Sequence, residues 1–193
     1  VEKEGFSVMY ERDRTKLIVL SGLLTALSIV FSRLFAVQIL LGGVGALRLG
    51  LGPLPVIIAG FLGGPWIGAA VGAAADLIGY VINPFGAAFV PHITAVSTLT
   101  GMLPALILRV LRLRTDAQPG FISHLIAIAI SQTALHIGAM TLIMYSVFGV
   151  PIKASLIART IAQVIQIPVY SILTHIIVNG AYASLVLSNR QRA

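Results

Sequence analysis

Between residues 17 and 187 the chain consists of apolar runs separated by short connections, and this constrains it more than any motif does. A helix needs about 20 apolar residues to cross the hydrocarbon core of a bilayer. Six candidate spans satisfy or approach that length: about 17 to 36, 49 to 63, 65 to 82, 94 to 113, 122 to 147 and 155 to 187. Only 10% of residues are charged and 58% are hydrophobic, whereas a soluble domain carries roughly a quarter charged residues. The expected fold is therefore an all-α integral membrane protein, with six transmembrane helices in one compact bundle and an outward-facing pocket. It reads as one domain over 1–193, with tails at 1–16 and 188–193.

The net charge of +7 does not indicate nucleic acid, because most cations sit in clusters beside apolar runs. Arg12, Arg14 and Lys16, then Arg109, Arg112 and Arg114, then Arg190 and Arg192 fall on one side of a six-span topology. The positive-inside rule makes that side cytoplasmic and places both termini there. With no cysteine, disulfides, thiolate metal sites and catalytic thiols are all excluded. Neither H-E-x-x-H nor G-x-S-x-G occurs, and no carboxylate pair stands out, so no catalytic or metal site is expected. The absence of a Walker motif assigns any ATP hydrolysis to separate subunits.

The charges that this topology leaves over are more informative. Arg33, Arg48, Lys153 and Arg159 all fall in the outer half, against the usual bias. Arg33 lies 17 residues beyond Lys16, or about 25 Å along a helix. Away from the cytoplasmic tail and loop, the only acid is Asp76, near mid-depth in the third span. Such a carboxylate is costly unless it is paired or faces water. One reading pairs it with Arg33 or Arg159; the other notes that one acid cannot neutralise four cations, and that the surplus suits an anion with one or two carboxylates arriving from outside.

Other polar positions add to this constellation. Arg159, Gln163, Gln166 and Tyr170, spaced 4, 3 and 4, form a stripe on the sixth span, whose amides need either other helices or a ligand. In the fifth span Gln132, His136, Ser131, Thr133 and Thr141 read as interhelical hydrogen-bonding groups, and His124 and His175 as structural. His92, Phe85 and Phe89 in the outer stretch "NPFGAAFVPHIT", together with Tyr80, are candidate ligand contacts. Glycines recur at 60, 64, 68 and 72, and the ridge Gly64, Gly68 and Gly72 is expected to draw another helix close beneath Asp76. The second span, short and interrupted by Pro53 and Pro55, is the kind of segment that lines a cavity.

Three segments resemble the substrate-binding S components of energy-coupling factor (ECF) vitamin transporters, most closely the folate-specific branch: "ALSIVFSR" (26–33), "LRLGLGPLPVIIAGFLGGPWIGAAVGAAADLIGYVINPFG" (47–86) and "ARTIAQVIQIPVY" (158–170). The resemblance implies a subunit of the prokaryotic cell membrane that captures a vitamin outside with high affinity. It also implies a transmembrane T subunit and two cytoplasmic ATPases as partners, with Gly22 and Ala26 matching the small-residue motif that contacts the T subunit. No cofactor is implied. The stretch 85–94 departs from the branch, which usually has a more aromatic "PGFT" sequence there. Folate fits the charges: its two carboxylates suit Arg33, Arg48 or Arg159, and its pterin donors suit Asp76. Pantothenate, a queuosine precursor or an autonomous secondary transporter are the alternatives.

Overall fold

The computed structural model describes residues 14–34, 36–41, 44–82, 89–114 and 120–190. Their order is α1 (Arg14–Leu34), a hairpin of β1 (Ala36–Leu41) and β2 (Val44–Gly50), α2 (Pro53–Gly63), α3 (Pro65–Ile82), α4 (Pro91–Arg114), α5 (Phe121–Gln132), a π-helical segment (Thr133–Ala139), α6 (Met140–Phe148) and α7 (Ile152–Arg190). Five runs are long and apolar enough to cross a membrane: 15–34, 65–82, 91–111, 121–148 and 152–181. Helix α2, with 11 residues, is shorter. Among the described residues the bundle is thus all-helical apart from the hairpin, which occupies the connection between the first two expected spans. The sixth helix is longer than the expected 155–187.

The two prolines that interrupt the second span are starters of α2. Pro53 and Pro55 lie in its first turn, where backbone N–H groups have no intrahelical acceptor and proline loses nothing. At the other end Gly64 has φ 93°, a conformation that side chains rarely adopt, and its N–H returns to Gly60 O. Pro65 then opens α3 in the opposite direction.

Short as it is, α2 forms the centre of the molecule. Every residue from Leu54 to Phe61 is buried, and α1, α3, α4 and α7 all pack on it. The core gathers Leu24, Ile57, Ile58, Phe61, Val71, Leu108, Ile128, Tyr170 and Val178. On the α1 side, Ser28 Oγ donates to Gly52 O at 2.8 Å, fixing the start of α2.

Glycine sets the spacing of α2, α3 and α4. A methyl group on Gly60 or on Gly68 would strike Gly101 O, one on Gly72 would strike Ser97 O, and one on Gly101 would strike Gly68 O. A Cβ on Gly68 would also lie 2.7 Å from the Cα of Gly60. Lipid supplies no hydrophobic force between helices, so this close backbone approach is what holds them. The expected ridge is corrected at one position: Gly64 is a turn residue with nothing within 4 Å of its Cβ, and the contact is made by Gly60, Gly68, Gly72 and Gly101.

Candidate functional site

From the hairpin end of the bundle, α1 and α4 run toward and away from the hairpin on either side of α3, and α7 lies against β2 and the π segment. Asp76 on α3 is half-buried. It accepts hydrogen bonds from Thr94 Oγ1 at 2.6 Å and Ser97 Oγ at 3.4 Å, both on the opening turns of α4. The contact follows from the glycine packing, because Gly72, one turn before Asp76, brings α3 against the backbone of that same Ser97. A carboxylate offers about four lone-pair directions, and the two hydroxyls leave some of them open.

Among the described residues Asp76 has no cation partner, so the reading that pairs it with Arg33 or Arg159 is not the one the structure forms. Arg33, in the last turn of α1, donates through Nη2 to Gly79 O. Gly79 is one turn along α3 from Asp76, which puts the guanidinium and the carboxylate on neighbouring parts of one helix surface. Arg159, near the start of α7 and half-buried, donates from Nε to Ser155 Oγ at 3.1 Å. The π segment packs against α7, and its His136 Nε2 lies 3.4 Å from Thr100 Oγ1 on α4. Two arginines, one acid and a set of hydroxyls on α1, α3, α4 and α7 thus converge at one end of the bundle.

Tyr80, four residues and one turn above Asp76, meets Phe89 edge-on with ring centroids 5.2 Å apart and planes at 60°. Phe89 remains 43% exposed, so the pair forms an aromatic rim above the carboxylate. His92 is exposed in the first turn of α4. It stands two residues from Thr94, and residues so spaced do not share a helix face. Arg48 sits on β2 opposite Gln38 in the antiparallel hairpin. Phe85 lies outside the described residues.

The polar stripe of α7 divides between the two expected uses. Tyr170 Oη and Gln166 Nε2, the latter at 3.3 Å, both donate to Gly50 O, the last residue of β2. Gln163 Nε2 donates to Gln166 Oε1 at 3.3 Å. Gln166 and Tyr170 therefore clamp the hairpin where it enters α2. Gln163 Oε1 is buried and has no partner among the described residues.

The fifth span only partly follows expectation. His136 makes its interhelical contact, but Ser131 bonds back to Ala127 O and Ile128 O. Gln132 and Thr141 Oγ1 have no hydrogen bond among the described residues. At the opposite end of the bundle His124 and His175 pack edge-on, 5.3 Å apart, between Phe61 and Phe121. Thr94, Ser97, Thr100 and Ser155 are the site residues that the sequence reading missed. The hydroxyl run in "HITAVSTLTG" directly after the outer connection was the available signal. Among the described residues no group of three metal-ligating side chains forms.

The profile of the family described as "ECF transporter, substrate-specific component" matches residues 16–178, which is most of the chain. The chain belongs to that family. As an ECF substrate-specific component it is a transporter subunit, not an enzyme, and a multi-pass membrane protein; the family implies a vitamin substrate and an energy-coupling module. It is also 24% identical over 162 residues to the folate transporter FolT of Clostridium novyi (strain NT), a match covering 84% of this chain and 87% of that protein. In this ECF component Gly22 and Ala26 are exposed on α1, alongside exposed Ile18, Val19, Leu23, Leu27 and Val30.

Proposed function

We propose that this ECF substrate-specific component binds folate at the hairpin end, facing outside, and delivers it inward when a partner module hydrolyses ATP. One observation carries the reading: the carboxylate of Asp76 is oriented by two hydroxyls while arginines border the same end of the bundle. An acid positioned this way accepts from the ring N–H and amino donors of a pterin. Arg33, Arg48 and Arg159 then take the two carboxylates of the glutamate tail, and Tyr80, Phe85 and Phe89 flank the flat rings. His92, Gln163 and Gln166 complete the surrounding polar surface. A flat heterocycle buried among apolar walls and a few directed polar groups is how such sites generally work. The match to the Clostridium folate transporter supports the choice of vitamin.

In the same reading both termini are cytoplasmic, and the chain is one membrane domain. A transmembrane T subunit docks on the exposed face of α1 around Gly22 and Ala26, where small side chains allow close helix approach, and two ATPase subunits supply the energy. Calorimetric titration of the detergent-solubilised protein with folate, pantothenate, thiamine and riboflavin tests the ligand. One-to-one folate binding that weakens in Asp76→Asn and Arg33→Ala is expected. Folate binding undiminished in Asp76→Asn would remove the pterin assignment.

A further inference from the structure

Gln163 is 4% exposed, and its Oε1 has no hydrogen-bond partner among the described residues. A carbonyl shut away from water without a donor is unfavourable. Which of the two amide atoms is left over is fixed from the far end of a short chain. Gly50 O can only accept, so Gln166 turns Nε2 to it; Gln166 Oε1 can only accept, so Gln163 turns its own Nε2 to that atom. The atom left over is therefore an acceptor, and what completes it is a donor. Tyr170 Oη holds the same carbonyl of Gly50 and secures the chain. The neighbouring cation does not supply the donor, because Arg159, one turn earlier on α7, gives its Nε to Ser155 Oγ.

Packing sets this acceptor at the height of the carboxylate. A Cβ on Gly72 of α3 would lie 3.1 Å from Val56 Cγ1, so these positions of α3 and α2 are level. The two helices run in opposite directions, and the same number of residues along each brings Gly52 and Asp76 to one height. Helix α2 begins there, whereas α3 continues to Ile82 and α7 comes in from Ile152. Gly50 lies just before Gly52, so Gln166, bonded to its carbonyl, stands at this height, and Gln163 is about 4–5 Å nearer the hairpin end along α7. Since α2 packs on both α3 and α7 and paired helix axes lie about 8–10 Å apart, Asp76 and Gln163 stand on two walls within reach of one elongated ligand, above the first turn of α2.

We infer that Gln163 is a specificity-determining ligand contact: its Oε1 accepts the N–H of a secondary amide whose adjacent carboxylate goes to Arg159, so that the site takes N-acyl amino acids as a class. This rests on the proposed vitamin-binding site and adds to it what reads the ligand between its ring and its charge. Residues four apart on a helix have Cβ atoms about 5–6 Å apart, and in an N-acyl amino acid only a short carbon link separates the N–H from the carboxylate, so one ligand end spans both side chains. Folate carries this group in its glutamate tail and pantothenate in its β-alanine end, while thiamine and riboflavin lack it. Rejection follows, since a ligand without the N–H leaves the buried carbonyl unsatisfied.

The experiment titrates the parent, Gln163→Met, of similar length and without the amide, and Asp76→Asn with folate and with an analogue in which an ester oxygen replaces the N–H of the tail amide. The parent is expected to prefer the amide by about tenfold. In Gln163→Met folate affinity falls by about the same factor and the preference disappears, whereas Asp76→Asn weakens both compounds and keeps it. Equal binding of amide and ester by the parent overturns the inference and leaves the folate reading standing, a result that holds even where Gln163→Met does not fold. A Gln163→Met protein that loses affinity for both compounds alike and keeps the preference has lost only the structural chain to Gly50, and also overturns it. A parent that binds pantothenate and not folate removes the folate reading alone; pantothenate and its ester analogue then take the place of folate in the same titrations, with the same outcomes. Binding of thiamine or riboflavin only, or of none of the four vitamins, overturns both.

Discussion

Helices α2 to α4 and helices α5 to α7 use opposite solutions to packing in a membrane. In the first group glycines let backbones touch, prolines start helices, and the hydroxyls near Asp76 are bonded. The second group contains the π segment and buried amide and hydroxyl atoms without partners among the described residues. The first is a framework held by close backbone approach; the second leaves buried polar atoms without partners among the described residues. The two groups thus differ in how their polar atoms are satisfied, and Asp76 on α3 is bonded to α4 within the first.

The largest expected effect would break the framework. Gly101→Leu forces α4 away from Gly68 and from Val56, and overpacking of a tight contact costs about 1–3 kcal/mol, occasionally more. Thermal unfolding in detergent should show a marked drop in Tm and in folded yield; a Tm within error of the parent would mean that the glycine contact does not set helix spacing. Next comes the carboxylate held between α3 and α4. Asp76→Asn should weaken folate binding by about 10- to 100-fold, the worth of a hydrogen bond to a charged group, with little change in Tm, and calorimetry separates the two.

Thr94→Val sharpens the comparison further, since it keeps the shape and removes the hydroxyl that orients Asp76. A loss of about 1 kcal/mol in folate binding, or roughly fivefold, is expected. The smallest effect belongs to the outer surface of α1. A Cβ on Gly22 meets nothing within 4 Å among the described residues, and Gly22→Leu should change stability by no more than about 0.5 kcal/mol, leaving folate affinity intact while reducing co-purification with the T subunit. Impaired folate binding in that variant would instead tie α1's exposed face to the site.

Much of the framework was legible in advance. The number and direction of helices follow from apolar run length, and the glycine ridge from its four-residue step. Proline was read as interruption at 53 and 55, although its meaning depends on its position relative to a helix start, which composition does not give. For the site, Asp76, Arg33 and Arg159 were singled out because charge in a membrane is conspicuous. Thr94 and Ser97 were missed because hydroxyls are inconspicuous, being able to bond their own helix as Ser131 does. Gln132 was read as paired because burial and pairing usually coincide.

By itself the sequence determined that this chain spans a membrane as a helical bundle, where its spans lie, and which few charges stand out of place within them. Tertiary structure decided the partners. Asp76 meets hydroxyls instead of an arginine, and Gln166 and Tyr170 reach back 116 and 120 positions to Gly50 O. Periodicity reports which residues share a face within one helix, whereas a hydrogen-bond partner depends on which helices are neighbours and at what height they are aligned. That alignment is set by the glycine contacts and by the depth at which the hairpin hands the chain to α2, and both exist only once the helices have packed.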